Sequence, residues 1–278
     1  IPIERNELTT VIGNVLTTAT EVEIRIDDNF AGEFFVLWDG QSATMPEYDD
    51  ATKTYTIYEA SELAWFADQV NGTTRATANT FEGYTVKLGK DIHLNGERWE
   101  PIGATGKFEG TFDGNGHKIE GLFVSTEGKA SAGLFATNRG LIKNLTVVNA
   151  EVYGHYKAAV IVADGLCSRV EGCTVDNCVV VSTPYNNDDA NNVGAITGYL
   201  SAEPTAYVKG CTVTNTKVTA YRKVGGIVGA ANRAAEVTGN TIKACYITAD
   251  MTAEYKEDKP ADAGQVVGWK HADANVSG

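Results

Sequence analysis

Val170-Glu171-Gly172-Cys173-Thr174-Val175 and Val208-Lys209-Gly210-Cys211-Thr212-Val213 are nearly the same phrase written twice. Ile142-Lys143-Asn144-Leu145-Thr146-Val147 and Val237-Thr238-Gly239-Asn240-Thr241-Ile242 are looser copies, and Val276 opens a fifth. Small apolar pieces precede them: Ala132-Gly133-Leu134-Phe135, Ala158-Ala159-Val160-Ile161, Gly194-Ala195-Ile196-Thr197, Gly225-Gly226-Ile227-Val228 and Gly264-Gln265-Val266-Val267. Third pieces centre on Val152, Val180, Val218 and Ile247, always at the same distance from the second. Repeats of short strands with fixed apolar positions and variable links are the mark of a solenoid. The expected fold is all-β: a right-handed parallel β-helix with three short strands per coil.

Stacked coils place equivalent side chains in columns ~4.8 Å apart. One predicted inward column is Val147, Val175, Val213 and Ile242. A second is Leu145, Cys173, Cys211 and Asn240. Thr146, Thr174, Thr212 and Thr241 form an outward ladder. Cys173 and Cys211 therefore fall at one place in adjacent coils, as small buried residues or, alternatively, as a disulfide. The chain has five cysteines, an odd number that excludes a fully paired framework. None sits in a CxxC pair, so no structural zinc site is expected. The glycine pair at Gly225-Gly226 permits close approach between coils.

Upstream of the repeats, Thr54 to Tyr58 reads as a strand. A helix follows, capped by Ser61 and ended by Asn71-Gly72, with Leu63, Phe66, Ala67 and Val70 on one face. Such a helix suits the open end of a β array as an N-terminal cap. Between Ile1 and Leu37, Val22, Ile24 and Ile26 alternate with polar residues, the period of a half-buried strand. Three segments are predicted: 1–38, a strand segment; 39–105, a linker, capping helix and first strands; and 106–278, the β-helix repeats. The chain begins Ile1-Pro2-Ile3 without a Met and stops inside the repeat pattern, so the start is expected to be a mature or cut boundary and the end a cut one.

GTFDGNGHKIEGL (Gly110 to Leu122), AGLFATNRGLIKNLTVVNAEV (Ala132 to Val152) and GGIVGAANRAAEVTGNTIKACYI (Gly225 to Ile247) resemble the GLUG-type repeats of bacterial surface proteins. ELAWFADQVNG, LGKDIHLNG and WEPIG, between Tyr58 and Gly103, are similar to the lead-in of such repeats in secreted proteins of Bacteroides-like bacteria. IPIERNELTTVIGNVLTT resembles the closing strand of fimbrillin-like adhesins. The resemblance implies a secreted, cell-surface, outer-membrane-associated adhesion or binding module beside a fimbrillin-like neighbouring domain.

The net charge of −13 opposes a nucleic-acid backbone as partner. No apolar run approaches the ~20 residues of a membrane-spanning helix, so no membrane insertion by this segment is expected. His93, His117, His155 and His271 are isolated, and no HExxH, GxSxG or P-loop occurs. Glu151, Glu171, Asp176 and Glu236 do not share one coil position, as a carboxylate pair would require. Acidic clusters such as Asp49-Asp50 and Asp188-Asp189 match no calcium loop. The chain is therefore expected to be non-catalytic, with no cofactor and no metal.

The variable corners after the third strands carry Tyr153, Tyr156, Tyr185, Asp188, Asp189, Tyr221 and Tyr255. Stacked coils would bring these to one edge. Tyrosine faces stack on sugar C–H surfaces while carboxylates bind hydroxyls. These seven are the candidate ligand-binding residues. The expected partner is a host or bacterial surface glycan or glycoprotein. The alternatives are a glycan-active β-helix enzyme, lyase or hydrolase, and a structural spacer.

Overall fold

A computed structural model describes residues 37–72, 78–183, 191–201, 205–249 and 262–277. These belong to one compact unit that starts at Phe35. The expected strand segment at 1–38 lies outside the described residues up to position 36.

The described chain is all-β with parallel sheets, a β-helix-like arrangement, and one helix. Five sheets run along the stack. Sheet A has nine strands: Glu47–Asp49, Thr54–Ile57, Thr85–Leu88, Thr111–Asp113, Leu141–Lys143, Arg169–Glu171, Tyr207–Lys209, Glu236–Thr238 and Asn275–Val276. Its first pair is antiparallel and the rest are parallel. Sheet B joins Ile92–His93, Lys118–Glu120, Thr146–Val148, Thr174–Asp176, Thr212–Thr214 and Thr241–Lys243. Sheet C joins Phe123–Ser125, Glu151–Gly154, Val179–Ser182, Lys217–Ala220 and Tyr246–Ala249. Sheet D joins Phe135–Asn138, Val162–Leu166, Thr197–Ser201, Val228–Asn232 and Val267–Lys270. Sheet E joins Lys157–Ala158, Asn192–Gly194, Val224–Gly225 and Ala263–Gly264.

From Lys157 on, each coil visits the sheets in the order E, D, A, B, C, so it has five strands where the repeat pattern predicts three. The glycine-rich piece read as one strand is a bend between two. Gly194 and Gly198, Gly225 and Gly229, and Gly264 and Gly268 stand four apart across that bend. A Cβ on Gly229 would lie 2.2 Å from the Val193 nitrogen, and one on Gly225 would lie 2.0 Å from the Val228 oxygen. Sheets E and D therefore meet backbone to backbone, which only glycine permits.

The second and third pieces stack in the predicted register. Val147, Val175, Val213 and Ile242 oppose one another, with Ile119 ahead of them. Thr146, Thr174, Thr212 and Thr241 do the same. Val276 pairs with Val237. The row Ala158 to Ile161 is one residue out. Val162, not Ile161, opposes both Phe135 and Thr197. The coil from Ala132 is one residue shorter through the bend, since Ala132 bridges Ala158 while Phe135 pairs with Val162.

Two left-handed corners explain the constant spacing. Asn144, Gly172, Gly210 and Gly239 turn sheet A into sheet B, and Asn149, Asn177, Asn215 and Ala244 turn B into C, all at positive φ. A single residue makes each corner, so an insertion has no place to go. Glycine and asparagine tolerate that conformation best. The asparagines also link coils: Asn177 Nδ2 donates to Asn149 Oδ1 at 2.7 Å, and Asn215 Nδ2 to Asp176 Oδ1 at 2.8 Å.

The helix spans Ala60–Asn71, and its N-cap is Glu59, not Ser61. The Glu62 carboxylate accepts the backbone N–H of Tyr58 and Glu59 at 2.6 and 3.1 Å. Gly72, at φ 63°, ends it. Leu63, Phe66, Ala67 and Val70 are buried in the core. The Phe66 ring meets those of Phe81, Phe108, Phe112 and Phe135.

Candidate binding face

Strand alternation sends one half of each sheet C strand into the core. Val124, Val152, Val180 and Val218 are fully buried there. The other half faces out, in two registered rows. Phe123, Glu151, Val179, Lys217 and Tyr246 form one; Ser125, Tyr153, Val181, Thr219 and Thr248 form the other. The ends of this face carry the aromatic rings. Tyr153 is 37% exposed and Tyr246 74%. Phe123 meets Tyr153 edge-on, with ring centroids 6.3 Å apart. The Tyr153 hydroxyl donates to Glu151 Oε2 at 3.1 Å. Partial burial and the Glu151 carboxylate push that phenol above its ordinary value, so it stays protonated as a donor. Three strand steps separate Tyr153 from Tyr246, about 14 Å along the stack. Between them lie the half-buried Val179 and Val181, with Glu151 and Lys217 supplying charge.

The corner from sheet C to sheet E is built differently from the expected tyrosine edge. Gly154, Ser182 and Ala220 are in register, so the next residues are His155, Thr183 and Tyr221. His155 Nδ1 and Thr183 Oγ1 are hydrogen-bonded at 2.7 Å. Tyr221, at 7% exposed, is a buried corner residue whose ring faces are not open for stacking. Tyr156 belongs to a closed cluster instead. Lys157 Nζ sits 5.2 Å from the Tyr156 ring centre and 4.6 Å from that of Tyr199, and is 2.6 Å from Asp164 Oδ2. Its charge is already satisfied by a carboxylate and two aromatic faces. Of the seven candidates, Tyr153 stands on the open face, Tyr156 and Tyr221 do not, and Tyr185, Asp188, Asp189 and Tyr255 lie outside the described residues.

Two features were hidden from the sequence reading. Tyr246 is outward because Ile247 is inward, a period-2 signal present in the sequence but masked by the corner residues around it. Asp164, Tyr199, Ala230 and Trp269 share one row of sheet D, and that row appears only when the bend of the second coil is counted with its extra residue.

Elsewhere, a cleft of about 300 Å³ is lined by Trp38, Gln41, Asp68, Arg98 and Trp99 among others. Its indoles are structural: Trp38 Nε1 donates to the Ser42 carbonyl and Trp99 Nε1 to that of Leu134. Among the described residues no three His, Cys, Asp or Glu side chains cluster as a metal site.

Residues 1–58 match the model of DUF6562, a family of unknown function. Halomucin of Haloquadratum walsbyi is 29% identical over 180 residues, covering 61% of this chain and 2% of halomucin. A "Putative Gly-rich membrane protein" of Evansella cellulosilytica is 39% identical over 75 residues, covering 24% of this chain and 9% of that one. The chain thus spans a small fraction of these relatives. A solved structure described as a "putative immunoglobulin A1 protease from Bacteroides ovatus" superposes with a TM-score of 0.60 at 18% identity, over 84% of this chain and 66% of that one. At that identity the likeness is one of fold.

Proposed function

We propose that this chain is a cell-surface β-helix module that binds a glycan or glycoprotein along the outer face of sheet C, without catalysis. The observation that carries it is the exposure of Tyr153 and Tyr246, three strand steps apart on a half-apolar strand face. Aromatic faces spaced along a rigid ladder suit a linear saccharide, and Glu151 and Lys217 can bond its hydroxyls. Halomucin and a membrane protein among the relatives support a surface or membrane-associated location; secretion and association with an outer membrane belong to the proposal alone. Among the described residues no helix is long and apolar enough to cross a membrane. In this reading the repeats are of the GLUG type, the Ala60–Asn71 helix closes the first coil as a cap, and residues 1–38 join a fimbrillin-like neighbour.

A glycan and glycoprotein array, followed by titration of the best hit, tests the proposal. Tyr153→Ala and Tyr246→Ala should each weaken binding about tenfold, the worth of one good ring contact. Thr174→Ala, on sheet B, should leave it unchanged. A silent array would favour the spacer. A second reading, an enzyme on a β-helix, draws on the protease description of the Bacteroides ovatus structure. Cleaved products after incubation with array hits would replace the binding reading with that one.

A further inference from the structure

The thiols of Cys173 and Cys211 lie fully buried at the A-to-B corner of adjacent coils. The next residues, Thr174 and Thr212, are registered partners, and the Thr212 N–H donates to the Cys173 carbonyl at 2.9 Å. The Cys173 thiol donates to the Glu171 carbonyl at 3.4 Å and the Cys211 thiol to the Lys209 carbonyl at 3.5 Å. Registered parallel strands hold equivalent Cα atoms ~4.8 Å apart, inside the 4.4–6.8 Å span of disulfides. Below them in the column, Asn240 accepts the Cys211 N–H at 2.9 Å and donates to the Val208 carbonyl at 3.0 Å, which fixes the corner's position.

Among the described residues no cysteine stands opposite Cys167, Cys178 or Cys245 in an adjacent coil. Cys178 and Cys245 share the B-to-C corner column, but the Thr216 coil lies between them: the Cys178 N–H donates to Thr216 Oγ1, and the Tyr246 N–H to the Thr216 carbonyl. Two coil steps are ~9.6 Å, too far to bridge. The strand before Cys167 pairs with Ser201 at the equivalent end.

All five cysteines are thiols in the structure. We propose that Cys173 and Cys211 are the site of a single inter-coil disulfide, formed when the chain folds in the presence of a small-molecule disulfide. Each thiol gives up its hydrogen, one S–S bond forms in the protein, and the S–S bond of the oxidant is cleaved to two thiols. Exchange needs a thiolate. Both thiols are fully buried, out of reach of a small-molecule disulfide, so in the folded core the reaction is slow. The bond therefore forms before the coil closes over it. Once made, it staples two coils through a long loop.

The test is refolding from urea in oxidised and reduced glutathione, alkylation in denaturant, and intact-mass and peptide mapping. Three alkylated cysteines are expected, with one linked peptide pair joining Cys173 to Cys211. Adding reductant should lower the melting temperature by roughly 10 °C. Cys173→Ala and Cys211→Ala should each give four alkylations. The mapping on the unaltered chain stands even if a variant fails to fold. Five alkylations, a link to Cys167, Cys178 or Cys245, or an unchanged melting temperature on reduction would overturn the proposal. None of these readouts depends on ligand binding.

Discussion

Replacing Gly229 by alanine separates two reasons for the glycines of this fold. A Cβ there would lie 2.2 Å from the Val193 nitrogen and 2.6 Å from the Gly198 oxygen, both backbone atoms. Neither can swing aside, because both sit in paired strands of sheets E and D. To reach ordinary contact the two sheets must part by about 1 Å along the stack. Overpacking of this kind costs about 1–3 kcal/mol, and sometimes more. With backbone on both sides, about 3 kcal/mol or more is expected for Gly229→Ala. Gly239→Ala is the control. Its φ is 64°, but the nearest atom to a Cβ is 3.9 Å away, so only conformational strain operates. That strain is about 1–2 kcal/mol, less about 0.4–1 kcal/mol regained from a stiffer unfolded chain. Urea unfolding should show both midpoints shifted at unchanged slope, with the Gly229 variant lower by at least twice as much. Equal shifts, or a smaller one at Gly229, would refute backbone-to-backbone packing of sheets E and D.

Ala244 is the one B-to-C corner from Asn144 onward that is neither asparagine nor glycine, at φ 55°. Ala244→Asn should raise stability by about 1 kcal/mol in a thermal melt, because strain is relieved. Asn215→Ala should cost about 2 kcal/mol, combining that strain with the lost bond to Asp176. The carboxyls of Asp176, Glu120 and Asp113 are held below their ordinary values. Thr214 Oγ1 and the Asn215 amide act on Asp176, and Lys118 and the Asn149 amide act on Glu120. At Asp113, burial raises the pKa, but the Asn115 N–H, the Asn144 amide and Lys143 outweigh it. A depressed folded pKa means stability that is present above the unfolded values of 3.8 and 4.5 and lost as pH falls through the folded ones. Melting temperature should therefore fall below about pH 4.5, and Asp176→Asn should flatten part of that slope at a lower plateau.

The sequence was most legible where one residue makes a corner. Between sheets A, B and C the left-handed positions at 172, 177, 210 and 215 allow no insertion, so spacing, register and the Val and Thr columns could be counted directly. The bend between sheets E and D resisted because it is made by what glycine lacks. Gly194, Gly198, Gly225 and Gly229 leave no side-chain pattern to mark two strands instead of one. The coil from Ala132 reaches its sheet D strand in one residue fewer, and nothing in its composition announces the deletion. That slip moved Asp164 away from Tyr199 and concealed the cluster around Lys157. The burial of Tyr221 was illegible for another reason. Type and neighbourhood suggested exposure, but Tyr221 follows the inward-facing Ala220 at a corner and is covered.

These constraints also bear on where function can reside. Asparagine amides and the thiols of Cys173, Cys178 and Cys211 line the A-to-B and B-to-C corners, bonding coil to coil or to nearby carbonyls. Sheets D and E are locked against each other through glycine, and the Lys157 cluster closes on its own carboxylate. The outward rows of sheet C bear few of these duties, the Phe123–Tyr153 ring contact among them. Phe123, Glu151, Val179, Lys217 and Tyr246 follow one another at a single position with no chemistry in common. A column free to hold Phe, Glu, Val, Lys and Tyr is one the fold does not dictate. By contrast the Thr ladder on sheet B repeats a single residue through four coils. On the proposed reading, the large rings that the scaffold places in solvent on this unspecified face serve a partner and not the core.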